Sequence, residues 1–229
     1  METIQIKSLS GSVIFEQTAE NNTITLTVEA AVSCGVSLAN ANLAGACLAV
    51  ADLAGADLTG ADLTGADISW ADLADAILIG AKLEDADLKG AFLEGADLTE
   101  ADITGAKLNW ANLNGAKNIP YIPLSCPSEG AFTAWKKVAG KYLVKLQIPE
   151  DARRSSATSM KCRCDKAIVL DITSLDGEEH YNEVVNYNYT TTVYKVGEMV
   201  YPDSFDENRW NECSHGIHFF INKEEAINY

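Results

Sequence analysis

From Leu38 onward an apolar residue returns at every fifth position: Leu43, Leu48, Leu53, Leu58, Leu63, Ile68, Leu73, Leu78, Leu83, Leu88, Leu93, Leu98, Ile103, Leu108 and Leu113. These are sixteen five-residue blocks without a slip. Two positions before each centre stands a small apolar residue, Val36 in the first block and alanine in all the others, Ala41 to Ala111. Ala116 would open a further block, but Asn118 stands where its centre belongs. A period of five matches neither the 3.6 of a helix nor the 2 of a strand; on a helix these leucines would be smeared around the whole circumference. Repetition this strict predicts a solenoid. Leucine fills the inside of a coil with several equal sides, alanine sits inside where space is tight, and the intervening Asp, Asn, Thr and Gly positions face water.

A solenoid has two open ends, whose unpaired backbone groups and leucines need covers. Residues 1–36 read as the first cover, with strands at 4–8 and 12–16 and a turn at Asn21-Asn22. The stretch 23–34 alternates like a strand at Ile24, Leu26 and Val28, yet Asn22 is placed to cap a helix running through residues 28–32. We read it as a helical cap ended by Gly35. Pro120, Pro123 and Pro127 mark residues 118–130 as a linker. Residues 131–229 then read as an α+β domain, with strands near 142–148, 161–172, 182–187, 190–196 and 217–221 and turns at Asp176-Gly177 and Pro202-Asp203. Asn222 followed by Glu225 predicts a short final helix with a capping box.

The blocks, such as Ala56-Asp57-Leu58-Thr59-Gly60 and Ala61-Asp62-Leu63-Thr64-Gly65, closely resemble those of the pentapeptide-repeat family. The resemblance covers residues 37–117. It implies a mainly β fold, a right-handed quadrilateral β-helix with four repeats per coil, hence about four coils and roughly 19 Å of height at the spacing of hydrogen-bonded strands. Residues 148–163 and 210–220 resemble an uncharacterised domain that follows pentapeptide repeats in phage and bacterial proteins, which implies no activity.

Charge narrows the partners. Thirty-three acids against 17 bases give a net charge of −16. Direct binding to nucleic acid or to an anionic membrane is not expected, because both need clustered Lys and Arg. No run of 18 apolar residues and no basic leader before an apolar stretch is present, so a soluble cytoplasmic protein is expected. Six cysteines at irregular spacing predict reduced thiols. Residues 38–117 hold thirteen acids and four lysines, a net −9. Asp52, Asp57, Asp62, Asp67 and Asp72 stand just before successive centres, so they should point outward at regular rises. Family members that inhibit DNA gyrase present such a charged rod in imitation of duplex DNA. Here every centre is Leu or Ile rather than Phe, a whole domain follows, and Lys82 and Lys107 interrupt the acid rows. Asp as the favoured solvated residue of the block is the plainer account.

With twenty residues per coil, Val50, Trp70, Gly90 and Trp110 should form one column and Asp52, Asp72, Phe92 and Asn112 its neighbour. Trp70, Phe92 and Trp110 would cluster, with Ile77 and Ile79 on an adjacent face, and exposed aromatics on a polar surface suggest an interface. Its partner is the chain's own C-terminal domain, a second copy or a foreign protein. Cys162, Cys164, Cys213, His215 and His218 have residue types able to close a tetrahedral zinc site. Alternation equally suits Cys162 and Cys164 as small core residues. Arg153, Arg154, Lys161, Arg163 and Lys166 make a basic patch beside Ser155, Ser156 and Thr158, fit either for an anion or for the acidic solenoid. No catalytic motif is present. The sequence therefore points to a non-enzymatic interaction scaffold without a cofactor. A DNA mimic is the first alternative, and a metal or enzymatic site in the last domain the second.

Overall fold

The computed structural model describes residues 1–187, 191–211 and 213–229. The chain forms two compact units, Met1–Ile122 and Pro123–Tyr229.

In the first unit the backbone of each block bonds to the block one coil away. Leu53 N–H donates to the Asp72 carbonyl at 2.8 Å, and Asp72 N–H to the Ala51 carbonyl at 2.9 Å. Parallel bridges join residues twenty apart, from Asn42 with Asp62 to Asp97 with Lys117. One coil therefore takes four blocks. Within a block the chain turns through a bond such as Ala56 N–H to Leu53 carbonyl at 3.0 Å, and the fifth residue adopts a left-handed conformation. Nine of these sixteen corner residues are glycine; the others are Asn40, Val50, Trp70, Asp75, Asp85, Glu100 and Trp110. The period of five is thus a short straight piece plus one left-handed corner. The centres from Leu38 to Leu98 and, apart from the half-buried Ala46, the alanines from Ala41 to Ala101 are buried, each leucine contributing on the order of 2 kcal/mol.

The N-terminal segment covers the first coil. Strands β1 (Glu2–Lys7) and β2 (Val13–Ala19) form an antiparallel hairpin, and helix α1 spans Ile24–Ser33. Thr23, not Asn22, caps the helix: its hydroxyl oxygen accepts from Leu26 N–H at 3.1 Å. Asn22 instead ties hairpin to helix, accepting from Thr23 N–H and the Thr27 hydroxyl and donating to the Gln17 carbonyl. Helix wins over the strand pattern because it turns Thr27, Val28 and Ala31 inward together. Gly35, with φ +69°, follows as expected. The first coil has no preceding coil to bond to, and the cap supplies substitutes. Asn42 N–H donates to the Lys7 carbonyl at 2.7 Å, Asp52 N–H to Glu29 Oε1 at 2.9 Å, and the Thr25 hydroxyl to the Cys47 carbonyl at 2.7 Å. At the other end Ile103 and Leu108 are only half-buried.

The second unit is α+β. Strands β3 (Phe132–Val138), β4 (Tyr142–Ile148), β7 (Ala167–Ser174) and β10 (Met199–Val200) form an antiparallel sheet in the order β10-β7-β4-β3. Strands β5 (Arg154–Ser156), β6 (Cys162–Cys164) and β11 (Ile217–Phe219) form a second, ordered β11-β6-β5. Strands β8 (Glu183–Asn186) and β9 (Thr192–Lys195) pair as a hairpin, and helix α2 spans Lys223–Asn228. A bridge between Trp135 and Phe220 links β3 to the residue after β11.

Several expectations need correction here. The strand read at 161–172 is two strands in different sheets, because Asp165 turns away to accept from Arg153 N–H at 2.9 Å. Strands β3, β5 and β10 went unforeseen; in β3 the adjacent Lys136 and Lys137 hide the alternation. Of the strand read at 190–196, Thr192–Lys195 is seen, and residue 190 lies outside the described residues. The segment read as a linker belongs to the second unit from residue 123 on: Cys126 is buried in its core, Leu124 packs against that core, and Ser125 N–H donates to Ser156 Oγ at 2.8 Å. Helix α2 has its Asn222 cap, which accepts from Glu224 N–H at 2.8 Å.

Leu78 is fully buried in the middle of the solenoid. Leu78→Ala should lower the unfolding free energy by about 2–5 kcal/mol, measured by urea denaturation followed by circular dichroism.

Candidate functional site

The aspartates just before the centres have a structural task first. Asp57, Asp62, Asp67, Asp72, Asp97 and Asp102 each accept, at 2.9–3.2 Å, from the backbone N–H two residues on, just before the corner of the coil. Asp52 does so at 3.3 Å. The Ser37 and Thr59 hydroxyls hold the Asp57 carboxyl below its ordinary range, and Thr64, Thr99 and Thr104 do the same for Asp62, Asp97 and Asp102. The outward columns are also mixed. Asn42, Asp62, Lys82 and Asp102 follow one another up one face, and Asp57, Ile77, Asp97 and Lys117 up another. Lys107 pairs with Asp87 at 3.2 Å.

The aromatic column forms as the twenty-residue register requires. Val50, Trp70 and Trp110 are exposed by 73, 48 and 56%, Phe92 by 48%, and Ile77 and Ile79 by 39 and 36% on the next face. The Trp70 indole lies over Gly90, where an added Cβ would come within 2.4 Å of it, and Lys89 Nζ sits 4.9 Å from the Trp110 ring. The same arrangement recurs where Asn40, Asp75 and Asp85 lean over Gly60, Gly95 and Gly105. In these four pairs the corner one coil later is glycine, whereas Val50 is followed by Trp70. The column was legible in the sequence; the backbone strain in it was not.

The register of β6 with β11 separates the cysteine and histidine residues. Cys162 lies opposite Phe219, Cys164 opposite Ile217, and Arg163 opposite His218. Cys162 and Cys164 belong to the buried core, so His218 faces the other side. Cys213 is exposed beside Lys161 Nζ, at 3.4 Å. Among the described residues no group of three or more His, Cys, Asp or Glu is placed to hold a metal ion. Burial pushes the Cys164 thiol up to about 12, and contact with Cys126 raises that of Cys162. These are packed thiols.

The basic patch is also divided. Arg153 pairs with Asp165 and Glu207, and Lys166 with Asp151. Arg154 donates to the carbonyls of Pro127, Gly130, Pro149 and Glu150. Arg163 donates to those of Asp206, Asn208 and Asn211. Only Lys161 of the patch lines a cavity of about 570 Å³ in the second unit. Lys136, Lys137, His215 and His218 share its wall with Tyr194, Phe220 and Tyr229. Lys136 and Lys137 went unnoticed because β3 itself did, and a cavity leaves no linear spacing to read.

The first unit is a β-solenoid of pentapeptide blocks followed by a separate unit. Residues 37–75 and 76–115 match pentapeptide repeats, and residues 122–226 match a family of unknown function, DUF5758. Among solved structures, alr5209, a pentapeptide repeat protein from Nostoc Pcc 7120, is 36% identical over 43% of this chain and 88% of its own, with a TM-score of 0.36. HetL of Nostoc sp. strain PCC 7120, involved in heterocyst differentiation regulation, is 42% identical over 33% of this chain and 37% of its own, with a TM-score of 0.21. Rfr23 of Cyanothece 51142 is 42% identical over 33% and 54%, with a TM-score of 0.19. The chain thus spans less than two thirds of HetL and of Rfr23. No curated protein matches. The chain belongs to the pentapeptide-repeat family, with a C-terminal DUF5758 domain. Among the described residues no helix is long and apolar enough to cross a membrane.

Acid should weaken the solenoid in a definite window. Because the folded carboxyls of Asp57, Asp62, Asp97 and Asp102 lie below their unfolded value, their contribution is full above about pH 4 and is lost as pH falls through the lowered values. Melting temperature should hold from pH 7 to 5 and drop by pH 3. Gly90→Ala should cost about 1–3 kcal/mol, and less in a Trp70→Gly background. A double-mutant cycle by chemical denaturation measures the difference.

Proposed function

We propose that the protein is a non-enzymatic interaction scaffold: a right-handed quadrilateral β-helix of about four coils whose Val50–Trp70–Trp110 column, with Phe92 beside it, binds a partner protein. The observation that carries this reading is backbone strain combined with exposure. Val50, Trp70 and Trp110 hold φ of +63, +59 and +64° at corners where nine blocks use glycine. A β-branched or bulky residue in that region costs about 1–2 kcal/mol, and such strain gathers where a surface is used. The indoles also remain half-exposed.

The partner is a foreign protein with an apolar centre and a basic rim. Charge favours it: the solenoid carries −9, so a second copy would bring like charge against like. The DNA-mimic alternative has less support, because the carboxylates are engaged by backbone N–H groups two residues on and lysines break the columns. Six free thiols, three of them buried, fit a reducing cytoplasmic setting.

Capture from the native host with wild-type protein and with Trp70→Gly/Trp110→Gly, at low and high salt, tests the reading. The expected result is a defined protein retained by the wild type, released by salt and absent from the variant, with both proteins folded. Retention of the same protein by the variant would overturn it, and so would a wild-type dimer in sedimentation that the variant cannot form. Separately, Val50→Gly should raise the unfolding free energy by about 0.5–1 kcal/mol in urea titrations.

A further inference from the structure

In a chain of net charge −16, three lysines converge on one cavity of about 570 Å³, a volume suited to a small organic ligand. Lys136 Nζ donates to the His218 carbonyl at 3.2 Å, and Lys137 Nζ to the Ile227 carbonyl at 2.8 Å. Lys161 Nζ donates to the Tyr229 hydroxyl at 3.1 Å and lies 3.4 Å from Cys213 Sγ. Among the described residues none of the three is in an ion pair, and the one acidic side chain on the wall is Asp203. Elsewhere in the unit Arg153, Lys166 and Lys195 each hold a carboxylate, and Lys141, Lys145 and Lys223 lie over aromatic rings. Ammonium groups drawn out of water without a counter-charge are costly. An ammonium has three protons to donate, and Lys136 and Lys137 each spend one on a carbonyl.

We propose that this cavity binds a phosphate monoester, its phosphate held by Lys136 and Lys161 and its flat or apolar body resting against the aromatic wall. Lysine meets phosphate as a point charge, whereas the planar fork that suits a carboxylate belongs to arginine, and among the described residues no arginine lines this cavity. Tyr194, Phe220 and Tyr229 supply the apolar side, and Phe220 and Tyr229 pack at 5.0 Å between ring centroids.

The charge state fits an anion site. Burial pushes the Lys136 ammonium down to about 8, with the Lys161 charge adding to the effect. Cys164, pushed up to about 12, is neutral and offers no counter-charge at neutral pH. Among the described residues, Cys213, His215, His218, Asp203, Tyr194 and Tyr229 are the other titratable groups of the wall. A bound dianion would hold the Lys136 proton, so affinity should be full at pH 7 and fall as pH rises above about 8.

Calorimetric titration of the intact chain with phenyl phosphate, inorganic phosphate, benzoate and phenol tests the proposal. Phenyl phosphate should bind, inorganic phosphate at least fivefold more weakly, and benzoate and phenol not measurably at millimolar concentration. Affinity for phenyl phosphate should drop several-fold from pH 7 to 9, and Lys136→Gln should lower it tenfold or more at pH 7. The pH arm uses wild-type protein, so the proposal stays testable even where the variant fails to fold. No heat with phenyl phosphate overturns the site, equal binding of benzoate overturns the choice of phosphate, and unchanged affinity in folded Lys136→Gln overturns the assignment of the residue.

Discussion

Everything in the first unit depends on the left-handed corner that ends each block. It bends the chain after a straight piece too short to be a strand in its own right, and it brings residues twenty apart into parallel hydrogen-bonding register. Once the corner repeats, the leucine centres stack on leucine centres, and the core is a column of identical contacts with no long-range choice left to make. Where an aspartate precedes the centre, it serves the same turn by accepting the N–H of the residue just before the corner. The acidity of the solenoid is thus first a by-product of how the chain turns.

The same constraint explains where the solenoid departs from its own rule. A side chain placed at a corner leans over the corner of the next coil, and the structure keeps glycine there in four cases, Gly60, Gly90, Gly95 and Gly105. Strain and compensation are built together, one coil apart. Such pairs let the surface carry large side chains without disturbing the ladder beneath them, and Trp70 over Gly90 is the bulkiest of them.

The second unit follows different physics. Its core is a mixed set of apolar residues gathered from strands far apart in sequence, with Cys126, Cys162 and Cys164 among them. Its arginines are spent on backbone carbonyls and carboxylates that hold irregular segments in place. The lysines of β3 and Lys161 meet a cavity rather than acids.

By itself the sequence determined the solenoid and the helical cap, because these follow from local periodicity and capping; the four-block coil, and with it the Trp70–Gly90–Trp110 column, was an implication of the family resemblance, and the twenty-residue register is seen in the structure. Helix α2 and strands β4, β8 and β11 were legible for the same reason, as alternation or capping within a few residues. Tertiary structure decided the rest. Whether Cys162 and Cys164 meet His218 depends on the pairing of β6 with β11, strands more than fifty residues apart in sequence, which no local pattern encodes. Likewise, Lys136 and Lys161 share one cavity only because two sheets bring them there. Short-range order is written in the spacing of residues, whereas the meeting of distant side chains is settled by packing.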